Sequence, residues 1–289
     1  MGLIIILDIN TVFKEPAVSA HFVSPSQNSP QQPAVPRSAD VLRLPELAGK
    51  AMWRGDELGS SAQQKVVSTG FARLDAELPG GGWPCCSLTE ILQPQPSLCE
   101  WRLLGPGLKR IADAGGQVIL ISPPKHPHVP GLLQHGLQAN QIVWIDARTP
   151  TERLWTTEQL IKANPAGAVL AWLPQARQEQ LRRLQVHAQG CDSPVFLFRP
   201  ATAQHDASPA PLRVQVDLAT AWSLDVRVFK RRGPPQDEAM ALFSIPDSLD
   251  RVLTPRQRQP GHVPATPEPS CVGTLGSTAY PVAGPQLVH

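Results

Sequence analysis

Continuous apolar runs recur through the middle of the chain, separated by stretches in which apolar positions return with helical spacing. "SLTEIL" (87–92), "QVILIS" (117–122), "QIVWID" (141–146), "AGAVLAWL" (166–173) and "PVFLFR" (194–199) predict strands. An amphipathic stretch over 98–114 and helices over 151–163 and 175–189 are predicted between them. Strands with no polar alternation, separated by helices of ten or more residues, indicate a parallel sheet covered on both faces. After Pro211 the pattern changes to short alternating runs, "LRVQVDLA", "SLDVRVFKRR" and "EAMALFSI". These predict antiparallel strands at one sheet edge. The expected fold is α/β, a mostly parallel sheet flanked by helices with an antiparallel extension, and no internal repeat is visible.

Composition limits this picture at the ends. Of 289 residues, 32 are proline, well above typical usage. Residues 16–40 and the run from about 246 to 289 are rich in Pro, Ser and Gln and too poor in apolar residues to fold. The expected organisation is therefore an extension over 1–49, a folded domain over 50–245 and a Pro-rich tail over 246–289, with both ends unstructured. The opening "MGLIIILDIN" lacks a basic flank and is interrupted by Asp8, so it reads as part of that extension and not as a targeting signal. No segment approaches the roughly 18 apolar residues of a membrane span.

A net charge of +2 excludes a wholesale polyanion binder, so any nucleic-acid contact requires a local basic patch. The five cysteines form no C-x-x-C pair and no His-partnered metal spacing. They read as reduced thiols of a cytoplasmic protein, with no metal or other cofactor expected.

The lead-in "STGFARLDAELPGGGWP…SLTEI" resembles the ATPase core of the RecA recombinase family. Thr69-Gly70, Leu74-Asp75 and the Gly80-Gly81-Gly82 turn precede the strand that in that family feeds the phosphate loop. Leu74 and Trp83 are expected to pack and the glycines to turn the chain. A phosphate loop needs G-x-x-x-x-G-K-S/T, glycines for backbone N–H access, a lysine for charge and a hydroxyl for Mg²⁺. Gln93, Leu98, Cys99 and Glu100 occupy those places. A carboxylate there replaces attraction by repulsion, about 4 kcal/mol per charge pair at 4 Å and an effective dielectric near 20. The acidic residue the family places after its second strand is replaced by Ser122-Pro123-Pro124-Lys125, and the metal-side Asp by an apolar Trp172. ATP hydrolysis at this site is not expected. An α/β fold unrelated to nucleotide binding is the plain alternative.

Further motifs, "WRGDELG" (53–59), "LISPPKHPHVPGL", "WLPQARQEQLRRLQ" and "FKRRGPP", together resemble ImuA, a distant RecA relative that assists damage-induced translesion synthesis. The resemblance covers about residues 50–245. It implies a non-catalytic accessory of an SOS mutasome, with an ImuB-type inactive Y-family polymerase relative as partner. An error-prone DnaE-type polymerase would be reached indirectly, with RecA and DNA as further candidates. The segment from Leu88 to Pro200 also resembles SulA, a cell-division inhibitor that binds FtsZ, through "LTEIL", Gly167-Ala168 to Trp172 and "FLFRP". SulA proteins lack the lead-in and the basic late strand. A RecA-type ATPase with a rebuilt site is a third reading.

Two basic clusters are candidate contact surfaces. Lys230, Arg231 and Arg232 close an alternating strand and suit DNA phosphate or an acidic partner. A solvated strand end is the plain reading. Arg177, Arg182 and Arg183 lie on the helix 175–189, where Leu181 and Leu184 are expected to face the sheet. Arg182 and Arg183 splay about 100° apart, so they form no single narrow stripe. His126 and His128 lack the further ligands a metal needs. Trp144, Trp155 and Trp172 read as packing residues.

Overall fold

Every residue of Leu88–Gln93 is buried, as a strand covered on both faces requires. A computed structural model of the chain describes residues 5–8 and 65–258, apart from residues 221, 234, 235 and 237. Among the described residues the strands are β1 (Ile5–Asp8), β2 (Val66–Val67), β3 (Trp83–Pro84), β4 (Leu88–Gln93), β5 (Gln117–Ile121) and β6 (Ile142–Asp146). They continue with β7 (Gly167–Trp172), β8 (Val195–Pro200), β9 (Leu212–Leu218), β10 (Ser223–Lys230) and β11 (Met240–Phe243). The helices are α1 (Ala72–Glu77), α2 (Glu100–Asp113), α3 (Val129–Gln134), α4 (Pro150–Ala163), α5 (Gln178–Ala188), α6 (Asp247–Asp250) and α7 (Pro255–Arg258).

One nine-stranded sheet carries the fold, in the order β1-β6-β5-β7-β8-β4-β9-β10-β11, and β2 and β3 form a separate small antiparallel pair. Every ladder from β1 to β9 is parallel. The turn of direction comes at β10, which is antiparallel to both β9 and β11. Leu103, Leu104 and Leu108 of α2 and Leu132 of α3 join one core with alternate strand residues such as Ile91, Leu120 and Phe198. Leu154 and Ile161 of α4 and Leu181 and Leu184 of α5 pack with Leu88, Ile121 and Leu197 in a second core. The sheet thus has one core on each face, which is why its central strands show no polar alternation.

The lead-in motif has a structural reason. Asp75 accepts hydrogen bonds from Ser68 Oγ (2.7 Å) and from the Thr69 backbone N–H (2.8 Å), tying α1 to the chain that precedes it. Leu74 and Trp83 are buried, as expected. Gly70 has φ +88°, and a Cβ there would stand 2.4 Å from Cβ of Pro106. Inside α2, Gly105-Pro106-Gly107 runs against helix propensity. The gap at Gly105 admits the imidazole of His135: a Cβ would lie 2.6 Å from its Nδ1.

Several expectations need correction. Residues 5–8, assigned to an unstructured extension, form β1, paired in parallel with β6 at the sheet edge. The tail expected from 246 onward begins with α6 and α7, and Ser248 Oγ donates to Gln134 Oε1 at 2.6 Å. Of the three late strands, β9 is parallel to β4 and belongs to the main sheet. The expected helix over 175–189 begins at Gln178, with Arg177 at its N-cap. The remainder of the two ends, residues 50–64 with "WRGDELG", and Cys271 lie outside the described residues.

Candidate functional site

In an open α/β sheet, crevices form outside the carboxyl ends of strands where successive connections leave toward opposite faces. Here the connections after β4 and β5 lead to α2 and α3 on one face, and those after β6 and β7 lead to α4 and α5 on the other. Gln93, Ser122, Trp172 and Arg199 meet at the carboxyl ends of β4, β5, β7 and β8 and line a cavity of about 240 Å³. Trp172 also lines a cavity of about 250 Å³ toward α3 and one of about 410 Å³ between α4 and α5. Two residues at this end hold positive φ without being glycine, Ser97 (69°) and Ser122 (48°). Strain of this kind persists where the surroundings over-determine it. The Ser122 hydroxyl donates to the Ala147 carbonyl at 2.7 Å and accepts from the Ala147 N–H at 2.8 Å.

The loop from β4 to α2 is the one the RecA resemblance assigns to phosphate. It is filled by a carboxylate of the chain itself. Glu100, the first residue of α2, is 1% exposed. Its Oε1 accepts from the Gln93 side-chain amide (2.7 Å), the Ser97 backbone N–H (2.7 Å) and the Trp172 indole N–H (3.1 Å). An acidic group in the first turn also opposes the positive end of the helix dipole favourably. This corrects one expectation: Trp172 is an indole N–H donor to Glu100, more than an apolar substitute. Cys99 is fully buried, and burial first, then the Glu100 carboxylate, pushes its thiol up to about 11, so it stays protonated at neutral pH. Leu98 is 38% exposed at the loop surface. The arrangement can bind hydrogen-bond donors to Glu100.

On the opposite face of β4 lies a charge network that sequence reasoning missed. Glu90 is fully buried, with Arg213 Nε 2.6 Å from Oε2 and Arg199 Nη1 3.4 Å from Oε1. Arg199 also pairs with Asp206 at 2.9 Å, and Arg213 donates to the carbonyl of Ala203 at 2.7 Å. The signal was a lone acid in the middle of an otherwise apolar "LTEIL" run. A buried charge demands partners.

The basic residues singled out in the sequence differ in their exposure and partners. Lys230 donates to the Ser208 carbonyl at 2.6 Å, and burial, then the nearby Arg213, lowers its pKa from the ordinary lysine value. Arg231 Nη1 pairs with Glu77 Oε2 at 2.8 Å and donates to the Glu77 carbonyl, joining β10 to α1. Arg232 is exposed. Arg183 pairs with Glu158 of α4 at 2.8 Å, while Arg177 and Arg182 are exposed. Leu181 and Leu184 are buried as expected. At the strand end Lys230 and Arg231 are partly buried and engaged within the fold, while Arg232 is exposed.

Trp144 is buried, but Trp155 is 42% exposed, contrary to the packing expectation. His126 packs edge-on against Trp144, and His128 accepts from the Gly131 N–H to cap α3. Among the described residues no three His, Cys, Asp or Glu side chains converge on a metal position. Cys85, Cys86, Cys99 and Cys191 are free thiols. No helix among the described residues is long and apolar enough to cross a membrane. Compared with protein-family models and with curated proteins, the chain matches none.

Proposed function

We propose that this protein is a non-catalytic, RecA-like adaptor of the ImuA type, acting in damage-induced, error-prone translesion synthesis. It works by docking an ImuB-type inactive Y-family polymerase relative, and through it an error-prone DnaE-type polymerase. RecA and DNA are secondary contacts in this reading. The observation that carries it is Glu100. A chain that resembles the RecA core through its lead-in motif has its own carboxylate, triply hydrogen-bonded, where a nucleotide phosphate would lie. An internal anion held this way opposes a second one by about 4 kcal/mol per charge pair at 4 Å. A scaffold kept without its phosphate site is consistent with work by contact and not by turnover. The protein would then act in the cytoplasm.

The test is co-purification and titration with an ImuB-type protein. The expected outcome is a stoichiometric complex with Kd on the order of micromolar or tighter. Absence of binding at micromolar concentration, together with filamentous cells and blocked FtsZ polymerisation on overexpression, would replace this reading by the SulA-type one.

A further inference from the structure

The 250 Å³ cavity beside α2 is lined by Glu100, Trp101, Trp172, Leu132, His135 and, at its rim, Lys125. Its acid is unevenly satisfied. Oε1 of Glu100 takes all three N–H donors, while Oε2 is buried and accepts from none. A buried carboxylate oxygen left without a donor is costly, on the order of 1–3 kcal/mol or more. Two indoles stand in the same wall, and Trp101 is only partly buried against the core. A carboxylate beside aromatic faces is the recognition chemistry of an organic cation.

We infer that this cavity receives a guanidinium group, hydrogen-bonded to Glu100 and stacked on the Trp101 indole. Guanidinium fits better than ammonium because it is planar, weakly hydrated and stacks on aromatic rings while donating in its plane. The other basic groups leave room for it. The His135 imidazole is pushed down to about 4, by burial first and then by Arg102, so it is neutral at neutral pH. Lys125 is exposed at the rim, and His126 and His128 are likewise exposed and engaged with Trp144 and the Gly131 N–H. The cleft that the RecA resemblance assigns to an anion thus selects the opposite charge. This inference rests on the geometry around Glu100 and stands independently of the translesion reading.

The experiment follows the indole N–H resonances of the full ¹⁵N-labelled chain during titration with acetylarginine amide and with its neutral isostere, acetylcitrulline amide. Acetylarginine amide is expected to shift the Trp101 and Trp172 signals saturably with Kd on the order of millimolar, and the citrulline compound is not. Glu100→Gln, which keeps an acceptor for the three donors, is expected to weaken binding at least tenfold. Trp101→Leu serves as the second variant and is expected to weaken it severalfold, and Lys125→Gln to leave it equal or tighter. Equal response to both compounds overturns the inference. So does unchanged binding in both Glu100→Gln and Trp101→Leu, and so does loss of binding in Lys125→Gln, which would mark an anion site. Within a positive result, tighter binding of acetylarginine amide than of bare guanidinium ion assigns an arginine of a polypeptide partner. Equal binding assigns a small free cation.

Discussion

Arg213 Nε donates to Glu90 Oε2 at 2.6 Å in the middle of the sheet, with Glu90 fully buried and the Arg213 side chain 6% exposed. Removing one member of such a pair leaves the other charged and dry. Glu90→Gln is therefore expected to destabilise the fold by about 3–5 kcal/mol, because Arg199 and Arg213 then lose a shared anion. Urea unfolding measures this, and a loss below about 1 kcal/mol would contradict the pairing. Replacing Glu90, Arg199 and Arg213 together by apolar residues of similar size is expected to cost less than Glu90→Gln alone.

Arg231 and Arg232 separate scaffold from surface. Arg231→Ala breaks a partly exposed pair with Glu77 and should cost about 1 kcal/mol, read as a lower Tm. Arg232→Ala should leave Tm unchanged. If the strand end touches DNA phosphate, Arg232→Ala lowers the slope of log K against log salt by about one. No salt-dependent DNA binding by the parent chain removes DNA from the partners proposed.

His135 gives a pH dependence with a definite sign. Its folded pKa, pushed down to about 4, lies below the ordinary value near 6.5. As pH falls below 6.5 the unfolded chain takes the proton first. The stability this residue contributes is therefore complete above about pH 6.5 and is lost on acidification toward pH 4, at up to about 1.4 kcal/mol per unit. Urea midpoints at pH 7 and pH 5 should differ less in His135→Gln than in the parent.

Glu100→Ala strands the Gln93 amide, the Ser97 N–H and the Trp172 indole without an acceptor. The expected loss is about 1.5–3 kcal/mol of stability. Millimolar Mg·ATP should leave the Tm of the parent chain unchanged. A ligand-dependent rise of several degrees would restore the ATPase reading.

The central strands were legible because burial on both faces leaves a continuous apolar run, as in Val118–Ile121 and Ala168–Trp172. β1 was not, since its four residues are held by pairing with β6, a partner that no local pattern announces. The loop after β4 was legible as one that carries an acid, Glu100, and no lysine. That Glu100 is bound there was not, because one of its donors, Trp172, lies 72 residues away. The partner of Arg231 was not legible for the same reason: the acid that engages it is 154 residues back, in α1. Residue type told which groups need partners, and only the fold told which partners they have.

The place of β4 between β8 and β9 has a consequence for the chain as it is made. Its acid at position 90 waits for an arginine 123 residues further on, which is roughly 6–25 s of translation at ordinary ribosomal speed. Until then β4, buried on both faces in the finished fold, has the margin that β9 will pair left open, a natural target for holdase chaperones.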